Sequence, residues 1–352
     1  MTGGSDLPLT MAAPSSPSPK AYARAGVDID LGNRLKSGLG RQLASTHRPE
    51  VLGKVGGFGG LFRADFKGLR EPVLVSSIDG VGTKLKLAVA LDRHDTIGQD
   101  LVNHCVNDIA VVGAQPLFFL DYIGTGKLEP AVFRQILAGL VKACKAAGCA
   151  LVGGETAQMP GIYQAGDYDL AGCIVGVVEK KRILDGRRIR PGDAIIGLPG
   201  DGLHTNGYSL ARQILFETMG LDPASRVTGL RKTLGEELLR VHPNYQRTIA
   251  ALPAGVLKGA AHITGGGLVD NLPRVLPPDC DAAIDQGAWK VPALFGILQE
   301  GGAVPPAEMF QVFNMGIGMT LVVAKKDAAA TATATRGRII GEIVRGTGRV
   351  VL

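Results

Sequence analysis

Residues 73–84 join a β-branched apolar run to the loop Asp79-Gly80-Val81-Gly82-Thr83-Lys84, and this junction limits the possible folds more than any other stretch. Val73, Val75 and Ile78 suit a strand. Two glycines one residue apart let backbone N–H groups approach an anion closely. Thr83 adds a donor, Lys84 a point charge, and Asp79 an oxygen ligand for a divalent cation. The spacing is not that of the phosphate loop Gly-x-x-x-x-Gly-Lys-[Ser/Thr], and Asp-Gly alone is also an ordinary turn dipeptide. Residues 94–115 then read as a helix ended by Pro116. Asp100, Asn103 and Asn107 are spaced by three and four and share one face of it. The spacing predicts a polar helix wall beside a strand-end acid, as a nucleotide and metal site requires.

The same grammar recurs downstream. Residues 117–123 read as a strand, with Asp121 best explained by a hydrogen-bonded edge position. Glu129-Pro130 opens a helix that Gly148 stops. A strand from Ala150 ends on Gly153-Gly154-Glu155-Thr156, a second strand-end acid that would share an ion with Asp79 if the two strands were neighbours. Residues 171–178 are a further strand, and residues 182–190 a basic linker. Pro191-Gly192-Asp193 resets the chain. A strand at 194–198 then leads through Gly202-Leu203-His204-Thr205-Asn206-Gly207-Tyr208-Ser209 into a helix, whose N-terminus favours an anion. His204, among Thr205, Asn206 and Ser209, is placed to move a proton. His262-Ile263-Thr264-Gly265-Gly266-Gly267 repeats the strand–glycine loop–helix pattern. Residues 289–298 read as an amphipathic helix, residues 328–335 as a helix, and residues 338–344 as the last strand.

With 352 residues the chain is long enough for two domains. Strands and helices alternate, yet some strands follow one another directly. That excludes a pure parallel doubly wound sheet and predicts an α/β (α+β) fold with mixed or antiparallel sheets and helices packed on one face. The division is residues 1–20, a disordered Pro/Ser-rich tail; residues 21–190; and residues 191–352. A net charge of +6 suits anionic ligands, but no aromatic ladder accompanies the basic residues, so no nucleic-acid surface is expected. Five scattered cysteines without a Cys-x-x-Cys pair read as reduced thiols. No apolar stretch approaches a membrane-spanning length and no secretory leader pattern opens the chain, so a cytoplasmic location is expected.

From Tyr22 to Val344 the chain resembles the phosphoribosylformylglycinamidine cyclo-ligase (aminoimidazole ribonucleotide synthetase) family. The motifs that carry the resemblance are Tyr22-x-x-Ala25-Gly26-Val27-Asp28, Gly57-Phe58-Gly59-Gly60-Leu61-Phe62, the Asp79 to Lys84 loop, His94-Asp95-Thr96-Ile97-Gly98 and Val106-Asn107-Asp108. They continue with Pro116-Leu117-Phe118-Phe119-Leu120-Asp121-Tyr122, Gly153-Gly154-Glu155-Thr156, the Gly202 to Ser209 loop and the His262 to Gly267 loop. Several of these are shared with selenophosphate synthetase and thiamine-monophosphate kinase. The resemblance implies a two-domain fold, a homodimer built on the N-terminal domains, and ATP with Mg²⁺ acting on formylglycinamidine ribonucleotide. It implies Asp79, Asp108 and Glu155 as metal ligands. It also implies Gly80, Gly82, Thr83, Lys84, Asp100, Asn107 and Gly153 around the nucleotide. Lys84, Asp108, His204 and Asn206 would be catalytic, and Thr205, Ser209, Gly265 and Gly266 would bind substrate. On this reading Lys84 neutralises phosphate charge, and the loop at residues 58–62 closes the site against water.

Overall fold

Alternation along the strands sets the first half of the molecule. The computed structural model describes residues 20–54 and 56–352, so the tail expected over residues 1–20 lies, except for Lys20, outside the described residues. Three short helices come first, α1 (Ala21–Arg24), α2 (Ile29–Ser37) and α3 (Gly40–Ala44). Asp28 caps α2 by accepting from Leu31 N at 2.9 Å. A four-stranded sheet follows, made of β1 (Pro72–Gly80), β2 (Gln115–Thr125), β3 (Ala150–Gln158) and β4 (Tyr168–Glu179) in the order β1-β4-β2-β3. β4 runs antiparallel to both β1 and β2, while β2 and β3 are parallel.

Helices α4 (Lys84–Ala90) and α5 (Ile97–Ala110) connect β1 to β2, and α6 (Pro130–Ala147) connects β2 to β3. α6 runs from Pro130 to a left-handed Gly148, as the sequence predicts. α5 and α6 cover one face of the sheet. Phe119 and Ile123 of β2 point into that core, whereas Leu74 and Ile78 of β1 lie on the other face, 62% and 71% exposed. Two expectations fail here. α5 ends at Ala110, before a left-handed Gly113, and Pro116 sits inside β2 where the pairing with β4 slips between Pro116 and Phe118. The irregularity accommodates a residue with no N–H to offer. Asp121 lies on an interior strand rather than an edge, and burial pushes its carboxyl up to about 7.

The second half is a six-stranded sheet in the order β10-β7-β9-β5-β8-β6. Its strands are β5 (Ala194–Pro199), β6 (Leu257–His262), β7 (Cys280–Ile284), β8 (Ile317–Val323), β9 (Arg338–Arg345) and β10 (Val350–Val351), antiparallel except for β7 with β10. The helices are α7 (Tyr208–Arg212), α8 (Leu234–Leu238), α9 (Gln246–Ala250), α10 (Gly267–Asn271), α11 (Ala293–Gly302), α12 (Pro306–Val312) and α13 (Ala328–Thr335). β5 and β8 are apolar but for Thr320 because alternate residues enter different cores: Ile195 and Val322 one, Ile196 and Leu321 the other. α11 begins after Pro292 and not at Trp289, whose indole instead donates to Met315 O at 2.9 Å. β7 and β10 were not visible in the sequence pattern, so residues 338–344 do not form the last strand.

α5 and α6 touch through glycines. A Cβ on Gly98 would strike Ile136 O and Leu140 N, and one on Gly139 would lie 2.7 Å from Asp95 O. Both obstacles are backbone, so the helices must separate to admit a methyl group. Gly98→Ala is therefore expected to destabilise the protein by about 2–3 kcal/mol in urea unfolding. A loss below about 0.5 kcal/mol would show that the helix pair yields freely.

Candidate active site

The site is built on α5, which is buried nearly all round because it lies between the two halves. Its polar stripe grips the backbone of residues 242–245. Asp100 Oδ1 accepts from His242 N, Asn103 Nδ2 donates to His242 O, and Asn107 donates to Pro243 O while accepting from Tyr245 N, each at 2.8 Å. This segment belongs to no strand, so its backbone groups need such partners once buried. The stripe was expected to face a nucleotide. Asp100 and Asn107 instead clasp the second half to the first.

Lys84 is corrected in the same way. It is the first residue of α4, and the helix start carries its side chain inward to zero exposure. Its ammonium lies 2.8 Å from Asp100 Oδ2 and donates to Arg240 O at 2.6 Å and His204 O at 3.1 Å. Burial works against both charges, lowering the Lys84 pKa and raising that of Asp100, and each partner opposes the other's shift. Lys84 therefore holds the His204 loop and does not offer its charge to a phosphate. Thr83 stays at the surface, with Oγ1 3.0 Å from Ser209 Oγ of α7, so the two glycine loops are tied together.

Two of the three expected metal ligands do converge. Asp79, at the end of β1, meets His104 Nε2 at 2.8 Å and accepts from Gly80 N at 2.7 Å. Asp108, one turn beyond His104, lies 4.0 Å from the same Nε2, meets His262 Nδ1 at 2.8 Å, and accepts from Ser77 Oγ at 2.9 Å. Burial acts to raise both carboxyls. Imidazole hydrogen bonds and charge, from His104 at Asp79 and from His262 and His104 at Asp108, outweigh it and hold both below the usual carboxylate range. Glu155 does not join them. β4 and β2 separate β1 from β3, three strand spacings or roughly 14 Å. Gly153 and Glu155 therefore sit on the far side of the sheet, where Glu155 Oε1 accepts from Thr156 N at 2.7 Å.

From the second half, His204 adopts a left-handed backbone at φ 63° and is fully buried. Its Nε2 accepts from Asp201 N at 3.1 Å, its ring stacks on His242 at 4.2 Å, and its Nδ1 has no partner. Burial, reinforced by His262, Lys84 and His104, pushes its pKa well below the ordinary histidine value, so it is held neutral. Thr205 Oγ1 lies 2.7 Å from His104 Nδ1 and accepts from Asn206 Nδ2 at 3.4 Å. Asn206 in turn borders Gly265, where an added Cβ would come within 3.3 Å of its Oδ1. Gly266, at φ 96°, starts α10. Thr205, Asn206, Ser209, Gly265 and Gly266 thus come from two loops that the fold brings to one seam.

The sequence reading gave no role to His104, His242 or His262. The signal for His104 was present, since it precedes Asp108 by one helical turn. His262 opens the glycine loop that ends at Gly267. His242 carried no local signal.

Removing the Lys84 ammonium leaves Asp100 buried without its counter-charge. Lys84→Met is expected to lower stability by about 3–5 kcal/mol, with the fold loosened as well as activity reduced, contrary to an intact fold with a lost phosphate contact. Adding Asp100→Leu should recover part of the loss in denaturant titrations. A Lys84→Met protein with unchanged unfolding would restore the phosphate role.

Comparison with known proteins gives the family. Residues 68–178 match the family model "AIR synthase related protein, N-terminal domain", and residues 190–352 match its C-terminal counterpart. The chain is 54% identical over 307 residues to a phosphoribosylformylglycinamidine cyclo-ligase of Trichlorobacter lovleyi, covering 87% of this chain and 88% of that one. It is 51% identical over 335 residues to that of Geobacillus kaustophilus, covering 94% and 97%. Among solved structures, a thiamine-monophosphate kinase from Stenotrophomonas maltophilia superposes with a TM-score of 0.65 at 16% identity, covering 92% of this chain and 96% of that one. The hydrogenase maturation protein HypE in complex with ATP superposes at 0.64 with 21% identity, covering 91% and 90%. These two share the two-domain fold; the cyclo-ligase matches carry the kinship, and the chain belongs to the phosphoribosylformylglycinamidine cyclo-ligase family.

Proposed function

We propose that this chain closes the imidazole ring of 5-aminoimidazole ribonucleotide from formylglycinamidine ribonucleotide, consuming ATP and releasing ADP and phosphate in de novo purine synthesis. The observation that carries the reading is the cyclo-ligase match along nearly the whole chain. ATP phosphorylates the formyl oxygen, the amidine-derived nitrogen attacks the activated carbon, and phosphate leaves.

The seam supplies what this chemistry requires. Asp79 and Asp108 stay ionised, and their side chains keep 43% and 24% exposure. Oxygen ligands with room for water fit Mg²⁺. They would hold the ion, which when bound neutralises charge on the transferring phosphoryl group. Gly80, Gly82 and Thr83 present backbone and hydroxyl donors beside them. Thr205, Asn206, Ser209, Gly265 and Gly266 take the substrate from the opposite side. Lys84 and Asp100 keep these loops in register, and Glu155 serves at a distance from Asp79. The loop at residues 58–62 borders β3, with Gly60 beside Val152, and so would close over the Glu155 edge of the sheet rather than over Asp79 and Asp108.

The reading includes a division into an N-terminal nucleotide-binding domain at 21–190 and a C-terminal domain at 191–352, supported by where the two family models stop and start. It also includes a homodimer through the helix-free face of the first sheet, supported by the exposed Leu74 and Ile78. Among the described residues no helix is long and apolar enough to cross a membrane. A cytoplasmic location belongs to the same proposal.

Purified protein given Mg²⁺, ATP and formylglycinamidine ribonucleotide should form aminoimidazole ribonucleotide and ADP one for one. ATP consumption without the imidazole would move the chain to another reaction. Asp108→Asn should lower kcat/KM by about 100-fold or more, and a near-normal rate would remove Asp108 from the chemistry. Leu74→Lys with Ile78→Lys should yield a monomer by light scattering; an unaltered dimer would place the interface elsewhere.

A further inference from the structure

A cavity of about 410 Å³ lies where the C-terminal end of α5, the linker at residues 181–188 and the segment from α9 to β6 meet. None of the groups assigned above to ring closure lines it. Ala110, Leu184, Ile249 and Leu252 give it apolar walls. Lys181, Arg182 and Arg188 give it positive charge, and no carboxylate of the described residues lines it.

Gln246, the first residue of α9, borders this cavity and is only 8% exposed. Its backbone N–H donates to Asn244 Oδ1 at 2.9 Å, but its side-chain amide hydrogen-bonds to no described residue. An amide withdrawn from bulk water without a partner is costly, and the cavity is where its partner can sit. The charges are unspent as well. The exposed side chains of Lys181 and Arg182 make no hydrogen bond or ion pair with a described residue. Glu179 feels both charges, yet its oxygens accept from Arg70 N at 2.7 Å and Glu71 N at 3.2 Å. Arg188 donates to Gly255 O at 3.0 Å and to Leu257 O, which fixes its guanidinium in the wall.

Apolar walls, one free amide and a cationic rim call for a ligand with three matching parts. A glutamine amide sets an acceptor beside a donor, the pattern that pairs with N6 and N7 of adenine. Apolar walls suit the faces of a planar base, and arginine and lysine take a phosphate. A free phosphate would leave the walls and the amide unused, and an uncharged base would leave the cations unused. The volume falls within the range of small-molecule sites, about 300–1,000 Å³. We propose that this cavity binds a purine nucleoside monophosphate, with the base against Gln246 and Ile249 and the phosphate toward Lys181 and Arg182. The site is separate from the seam, and the reaction assigned to the chain does not enter the argument.

The test is calorimetric titration of AMP, adenosine and inorganic phosphate into the purified full-length protein. AMP should bind, with adenosine and phosphate each weaker by about 10-fold or more. Gln246→Leu, which keeps the bulk and removes the amide, should weaken AMP binding about 10-fold. Lys181→Glu combined with Arg182→Glu should weaken it about 10-fold or more. Asp79→Asn, in the seam, should leave this affinity unchanged. Circular dichroism would show which variants remain folded. Photolabelling of wild type with 8-azido-AMP needs no variant and should mark peptides within residues 181–188 or 246–257. No AMP binding, equally tight adenosine or phosphate, undiminished affinity in both folded cavity variants, or label confined to the seam loops at 79–84 and 202–209 would each overturn the proposal. Because no turnover is measured, these outcomes are independent of success or failure as a cyclo-ligase.

Discussion

The contact on which the rest of the molecule depends is the buried pair of Lys84 and Asp100. It joins the first turn of one helix to the first turn of the next, and through them two loops of the other half. Such a pair adds little net stability over apolar packing, because removing two charges from water costs about as much as their attraction returns. What it gives is register. A lysine and an aspartate with no exposure have few ways to satisfy each other and three backbone groups at once. The arrangement of the 204 and 242 segments against α5 follows from that restriction.

Once the two halves are locked, the chemistry gathers at their seam. Asp79 arrives from a strand end, Asp108 and His104 from α5, His262 from the end of β6, and Thr205 and Asn206 from the loop after β5. No single segment holds enough of these groups to bind a nucleotide or an ion. Opposed partial charges hold the carboxylates ionised despite burial, which suits a site that receives phosphates and cations. His204 is the exception. Buried and neutral, it serves in the closed packing as an anchor stacked on His242, so proton transfer through it requires the loop to move.

Much of the local structure was legible because it rests on neighbours in sequence. The Asp28 cap, the limits of α6 and the strand–glycine loop–helix units each depend on a few adjacent residues. The function was legible because whole motifs of the family are present in the chain. The failures share a cause. Pro116 was read as a helix stop because a proline opposes helix and strand alike, and only the slipped pairing with β4 decides which. Glu155 was grouped with Asp79 because both read as strand-end acids; in the structure Glu155 lies inside β3, and strand order is set by long-range pairing that no local pattern encodes.

The sequence by itself determined most of the elements, the glycine loops and the family, and it marked Asp79, Asp108, Thr205 and Asn206 among the groups that reach the seam. The tertiary structure alone decided their partners. Asp100 and His242 lie 142 residues apart, and a helical stripe of Asp and Asn looks the same in sequence whether it faces a nucleotide or a backbone segment. Burial settles the difference, because a carboxylate or amide withdrawn from water must bond to whatever the fold places beside it. For Asp100, Asn103 and Asn107 that was the other half of the chain, and for Asp79 and Asp108 it was a pair of imidazoles.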